Sequence, residues 1–333
     1  MADFTGVRLH VVTGKGGTGK TTVAAALALA LASGGRKVLL TEVEGRQGIA
    51  QLFDTPPLPY EERKVAAAEG GGDVYALAID PEEALLDYLH MFYKLSPTGI
   101  PARTLRRMGA IDFATTIAPG LQDVLLTGKV KEAVVRQGGT RARREERTYD
   151  AVVLDAPPTG RIARFLNISS EVSGLAKVGP IKTQSDNVMA VLRSPQTAVH
   201  LVTLLEEMPI QETIDGVAEL ESIGLPVGGV VVNGVREPLV DPADLRAAEE
   251  GRLDTARLAA GLKEAGLEVT DALVAALAAE TADHAARVAL EERGRDALAA
   301  LARPTYELPL LSRTPDLGGL YSLAACLREQ GMA

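Results

Sequence analysis

The chain has 333 residues, 46% of them hydrophobic, and its 35 basic against 44 acidic side chains give a formal net charge of −9. The apolar content suffices for a large core and excludes a disordered chain. The net negative charge argues against nucleic acid as a partner. A single cysteine excludes a disulfide framework and a CxxC zinc site, and the N-terminus lacks a signal-peptide pattern, so we expect a cytoplasmic protein.

Short apolar segments alternate with helical ones along the chain. Five segments are predicted strands: 7–13, 37–44, 74–79, 151–155 and 229–233. A helix is predicted over 21–32, and another over 81–95, where a proline stands at the N-terminus and apolar residues recur at helical spacing. Strands that are apolar on both faces and separated by helices indicate an α/β fold with a mostly parallel sheet flanked by helices.

No linker rich in Gly, Ser or Pro divides the chain, so we predict one phosphate-loop domain over 1–333. Its core is assigned to about 1–80, 145–165, 225–240 and 303–333. Two helical insertions are placed at about 81–143 and 166–224, and an Ala-rich helical tract at about 241–302.

The first predicted strand leads into the segment TGKGGTGKTT, residues 13–22. It contains G-x-x-x-x-G-K-[ST] between a strand and a helix, the pattern of a loop that binds nucleotide phosphates. Backbone N–H groups of the loop can converge on phosphate oxygens where glycine leaves no Cβ in the way. The predicted nucleotide-binding residues are Gly14, Gly16, Gly17, Thr18, Gly19, Lys20, Thr21 and Thr22. Lys20 would neutralise the β/γ-phosphates of ATP, and the Thr21 hydroxyl would ligate Mg²⁺.

Lys15 is not needed for that cradle, because Lys20 already supplies a positive charge. The extra lysine resembles the deviant phosphate loop K-G-G-x-G-K-[ST]-T of the Min-type, plasmid-partition, nitrogenase-iron-protein and arsenite-pump ATPases. In that superfamily the signature lysine reaches across a dimer interface to the partner's nucleotide. The resemblance implies a catalytic role for Lys15 in a homodimer, or in a heterodimer with a paralogue. A solvated lysine at the mouth of the loop is the alternative.

Residues 151–167 (AVVLDAPPTGRIARFLN) resemble the second switch of the arsenite-pump and tail-anchored-protein-targeting ATPases, and the likeness to their actinobacterial branch covers the chain. Asp155 ends a predicted strand, where it would hold Mg²⁺ through water. Arg161 stands where the family has histidine. Asn233 corresponds to the family's adenine-recognising Asn, although an Asn that caps a strand end is the simpler reading. Pro309 falls in a segment similar to the family's last strand and adenine loop.

The first switch of the family ends a strand in D-P-A-H, and its Asp orients the attacking water. Glu44 stands at that position here, one methylene longer, so its geometry must differ by about an ångström or more. Glu44 is therefore either the residue that orients the water or a structural anion without a catalytic role.

The resemblance implies an ATP-hydrolysing dimeric switch that couples nucleotide state to an unidentified protein or membrane-protein client. One cysteine cannot supply the converging thiols of arsenite chemistry, so arsenite transport is not expected. A nucleotide-binding scaffold that pairs with a paralogue and hydrolyses little ATP remains the alternative. A third alternative, a small-molecule kinase or ligase, has no support, because the sequence shows no motif for a second substrate. The insertion can hold either a groove for an apolar client or an ordinary helical core.

Overall fold

The computed structural model describes residues 4–93, 120–137, 147–167, 180–311 and 315–333. Within these ranges one sheet contains eight strands in the order β3-β4-β2-β5-β1-β6-β7-β8. The strands are β1 (Leu9–Gly14), β2 (Lys37–Glu42), β3 (Arg63–Ala67), β4 (Asp73–Ala78), β5 (Ala151–Asp155), β6 (Thr197–Thr203), β7 (Val227–Val235) and β8 (Thr305–Pro309). All neighbouring strands are parallel except β3 and β4, which are antiparallel.

Helices connect these strands and cover the sheet. The described helices are α1 (Lys20–Ala32), α2 (Gly48–Leu52), α3 (Pro81–Tyr93), α4 (Leu121–Val135), α5 (Thr159–Leu166), α6 (Pro180–Leu192), α7 (Glu207–Ser222), α8 (Pro242–Glu249), α9 (Thr255–Glu264), α10 (Asp271–Ala299) and α11 (Leu317–Glu329). Two large apolar clusters contain side chains from the sheet, one with helices α3 to α7 and the other with α1 and α11. The predicted α/β class with a mostly parallel sheet is confirmed.

The middle of the sheet is fully buried, which explains its apolar sequence. Every residue of β1, β5 and β6 is buried, and helix α1 is buried from Val23 to Ala32. Because parallel strands end at the same edge, the carboxyl ends of β1, β2, β5 and β7 bring four loops together there. The residues that the sequence proposed for the site lie in or directly beside these loops, except Pro309, which ends β8.

Three strand predictions need correction. The segment 166–224 was predicted to be helical, yet it contains β6, which lies beside β1 at the centre of the sheet. A short apolar strand cannot be distinguished by periodicity from a buried piece of helix, and helices α6 and α7 flank it. Strand β3 was not predicted, and β2 ends at Glu42, so Glu44 lies in the loop that follows.

The tract 241–302 packs more loosely than the rest. Helix α9 has no buried residue, and the long helix α10 buries only Ala285, Gly294 and Leu298. A small separate cluster of Leu245, Ala248 and Ala285 joins α8 to α10. Within the described ranges, no helix combines the length and the hydropathy needed to span a bilayer.

Candidate active site

The glycine-rich loop joins the central strand β1 to helix α1. Gly14, Gly17 and Gly19 have φ values of 151°, 91° and 86°, which favour glycine. A Cβ at position 14 would lie 2.1 Å from the Val202 carbonyl oxygen, so no larger residue fits. No side chain caps the start of α1, and its first backbone N–H groups are therefore free to bind an anion.

Lys20 and Thr21 begin helix α1 beside the end of β5. The Thr21 hydroxyl donates to Asp155 Oδ2 at 2.7 Å, and Lys20 Nζ lies 3.5 Å from the Lys15 carbonyl oxygen. Burial raises the pKa of Asp155 to about 6, against the opposing effects of the Thr21 hydrogen bond and the Lys20 charge. Burial also lowers the pKa of Lys20. Two oxygen donors in contact, one of them a carboxylate, are the ligand chemistry that Mg²⁺ prefers, so the residues fit that ion. Thr22 follows in α1 and is half-buried.

Lys15 points away from the groups around Lys20. Its Nζ forms an ion pair with Glu212 Oε1 of helix α7 at 3.0 Å, and the Lys15 side chain is 30% exposed. The Thr159 hydroxyl, at the start of α5, donates to the other carboxylate oxygen of Glu212 at 3.1 Å. One carboxylate therefore connects the phosphate loop to the second switch segment. Thr18 closes the loop locally through a 2.9 Å hydrogen bond to the Lys15 carbonyl.

Glu44 lies in the loop after β2 with an arginine at each carboxylate oxygen. Arg161 Nη1 of α5 lies 3.3 Å from Oε1, and Arg46 Nη2 lies 3.6 Å from Oε2. Nearby, Glu42 is buried and accepts hydrogen bonds from the backbone N–H groups of Gln47 at 2.6 Å and Ile49 at 3.3 Å. Glu42 holds the shape of the loop, whereas Glu44 projects from it with 16% of its side chain exposed.

Asn233 lies in β7 directly beside the phosphate loop. Its Nδ2 donates to the Thr18 carbonyl oxygen at 2.9 Å. Pro309 is the β8 partner of Val235, and the Leu310 N–H donates to the Val235 carbonyl at 2.7 Å. Leu310 and Asn233 both line a cleft of about 690 Å³ between the strand ends and helices α7 and α10. Apolar and charged side chains both line the cleft, and it is large enough for a purine base.

The fold and this loop define a phosphate-loop nucleotide-binding protein. The family model for anion-transporting ATPases matches residues 7–195. The ATPase BagA of Mycobacterium tuberculosis is 57% identical over 329 residues, which cover 99% of this chain and 95% of that protein. The chain therefore belongs to the anion-transporting ATPase family, and it is an ATPase.

More distant relatives agree with the predicted resemblance, which is thereby confirmed. The arsenical pump-driving ATPase of Escherichia coli is 28% identical over 274 residues, covering 76% of this chain and 44% of that protein. The ATPase GET3 of Kluyveromyces lactis is 27% identical over 253 residues, covering 67% of this chain and 70% of that protein.

The sequence missed three contacts of the site. Glu212 was not singled out, because without β6 there was no reason to place the start of α7 at the carboxyl edge of the sheet. The contact of Arg46 with Glu44 and the hydrogen bond that Glu42 accepts from Gln47 were not predicted either. Both depend on the path of one loop, which hydrophobic periodicity does not predict. Among the residues that the structure describes, no three His, Cys, Asp or Glu side chains form a group that could hold a metal ion.

Proposed function

We propose that this ATPase is a dimeric switch whose nucleotide state controls the binding of a protein or membrane-protein client. The observation that supports the proposal is the separation of the two loop lysines. Lys20 lies in the cradle with Thr21 and Asp155, whereas the Lys15 ammonium lies on the rim, in a partly exposed pair with Glu212. A rim lysine is available to a second subunit, either another copy or a paralogue.

Within one subunit, the loop N–H groups and Lys20 would bind the β/γ-phosphates of ATP. Thr21 would ligate Mg²⁺ directly and Asp155 through water, and the ion would supply charge neutralisation at the phosphates. Asn233 and the segment after Pro309 would receive the adenine, and Leu310 already lines the cleft there. Lys15 of each subunit would add positive charge at the partner's γ-phosphoryl group, as an arginine finger does.

Glu44 would orient the attacking water. Its carboxylate is close enough for its charge to act on both Lys20 and Asp155. The arginines at its two oxygens favour a second candidate function: a scaffold subunit that binds ATP, pairs with a paralogue and hydrolyses little or none of the nucleotide.

Phosphate release over many turnovers separates the two candidates. The wild type is measured alone and with a paralogue, next to Glu44→Gln, which cannot take a proton but nearly preserves shape. If the protein is a dimeric switch, we expect Glu44→Gln to bind ATP normally and to lose most of its ATP hydrolysis. A wild type that is no faster than Glu44→Gln under both conditions supports the scaffold.

A further inference from the structure

The two switch segments contact each other through Glu44 and Arg161. These residues are 117 positions apart in the chain, and they meet because β2 and β5 are neighbours in the sheet. Arg161 lies in the first turn of α5, where its backbone N–H donates to the Pro158 carbonyl at 2.8 Å. Ile162 and Phe165 anchor α5 in the core, and both are fully or almost fully buried.

This anchoring makes the Arg161 contact different from the Arg46 contact. Arg46 belongs to the same loop as Glu44, lies 3.6 Å away, and has 71% of its side chain exposed. Arg161 is almost as exposed, at 66%, but it reaches Glu44 from a helix that is anchored in the core, and its Nη1 is 0.3 Å closer, at 3.3 Å. An arginine that extends from a rigid helix can fix the direction of a carboxylate, whereas an arginine in the same loop moves with it.

The space around the pair also fits a role in orientation. Glu44, Arg161 and also Arg46 line a polar cavity of about 270 Å³ together with Pro157 of the second switch and Gln122 of α4. The extra methylene of Glu44 relative to aspartate adds a rotatable bond, and ordering that bond costs conformational entropy. A salt bridge to a fixed partner reduces the number of orientations that the carboxylate samples.

We infer that Arg161 is a positioning residue that holds the Glu44 carboxylate in its working direction. The inference rests on the proposed role of Glu44 in orienting water. Glu44 and Arg161, two of the positions at which this chain departs from the family pattern, then act as one unit.

Steady-state ATPase kinetics of single and double variants test the inference, with Arg46→Ala as the matched control. Arg161→Ala should lower kcat by about tenfold or more with little change in KM, because ground-state binding of ATP does not use the residue. Arg46→Ala should stay within about twofold of wild type. Arg161→Lys should recover part of kcat, since it restores the charge but not the planar guanidinium whose Nη1 donates to Glu44.

The double variant distinguishes positioning from an independent effect. If Arg161 acts through Glu44, then Glu44→Gln/Arg161→Ala should be no slower than Glu44→Gln alone. Equal rates for Arg161→Ala and Arg46→Ala, or a full further loss in the double variant, would overturn the inference. Hydrolysis that is unchanged in Glu44→Gln would overturn the proposed function instead. Thermal unfolding of each variant confirms that the compared proteins are folded.

Discussion

The two lysines of the phosphate loop lie five positions apart in very different surroundings. Lys20 is 9% exposed, and its neighbours are a backbone carbonyl and the hydrogen-bonded pair of Thr21 and Asp155. The Lys15 side chain is 30% exposed, and it pairs with the Glu212 side chain, which is 36% exposed. The first lysine belongs to a buried cluster inside one chain, and the second to an ion pair at the rim.

This difference bears on how each lysine can act. An ion pair at the rim contributes only about 0–1 kcal/mol, so Lys15 can leave Glu212 for another anion at little cost. A charge in a buried site interacts more strongly with whatever anion enters. We therefore expect Lys20 to act as a fixed cation for the chain's own nucleotide and Lys15 as a movable one for a second site. The predictions below test this contrast in decreasing order of effect.

The largest effect is expected from Lys20→Ala. Mg-ATP at 100 times its Kd stabilises a protein that binds it only when folded by about 2.7 kcal/mol. For a chain of this size the melting temperature should rise by about a degree or more. Lys20→Ala should abolish the rise, and Lys15→Ala, the matched control, should retain it. A normal rise in Lys20→Ala would refute the assignment of the loop.

Gly19→Ala should disturb the contact between the loop and Asn233. The new Cβ would lie 2.3 Å from Asn233 Nδ2, in a backbone with a φ of 86°. The φ and the collision should each cost about 1–3 kcal/mol of unfolding free energy. Gly17→Ala has a similar φ of 91° but meets no atom within 4 Å, so it reports the φ cost alone. Chemical denaturation of the two variants measures the difference between their unfolding free energies. An equal loss of stability in both variants would contradict the predicted collision.

A pair of fully buried histidines allows the same comparison of buried and exposed groups to be made for ionisable side chains without any contact with solvent. The rings of His10 in β1 and His200 in β6 stack, and His10 Nδ1 lies 3.1 Å from His200 Nε2. The other nitrogen of His200, Nδ1, accepts a hydrogen bond from the Gly229 N–H at 3.2 Å. Burial lowers the pKa of His10 to about 4, and burial together with the neighbouring His10 lowers the pKa of His200.

The unfolded histidines bind protons below about pH 6.5 while the folded ones stay neutral, so stability is present above that pH and is lost as the pH falls towards 4. Each such histidine contributes a slope of about 1.4 kcal/mol per pH unit in that window. His10→Gln should flatten the dependence measured by urea unfolding at several pH values. A dependence as steep as that of the wild type would count against the pair as the cause.

The smallest effect on stability is expected from Glu212→Gln. Because the Lys15–Glu212 pair is partly exposed, its loss should change the unfolding free energy by less than about 1 kcal/mol. Glu221→Gln removes a comparable pair with Arg303 from the same helix and is the matched control. Nucleotide binding by the single chain should stay normal in both. A large loss in Glu212→Gln alone would show that Lys15 is as firmly held as Lys20.

Much of the fold could be predicted because its signals are local. The strand, glycine loop and helix from β1 to α1 follow each other in sequence, and β5 is an apolar run that ends in a carboxylate. Strand β6 was missed because seven buried residues between helices have no distinctive period. The contacts of Glu212 with Lys15 and of Arg161 with Glu44 were missed because they join residues 117 or more positions apart. Such contacts depend on strand order, which pattern alone does not supply.

The central claim is that Lys20 serves the nucleotide of its own chain and Lys15 that of a neighbour. Sedimentation of wild type, Lys15→Ala and Lys20→Ala with ADP and with a non-hydrolysable ATP analogue, alongside a nucleotide-binding titration, tests it most directly. We predict that the wild type, alone or with a paralogue, dimerises with the analogue. Lys15→Ala should bind the nucleotide as the wild type does but remain monomeric, and Lys20→Ala should not bind it. Binding that is as weak in Lys15→Ala as in Lys20→Ala, or a wild type that stays monomeric with every nucleotide and partner, would contradict the account.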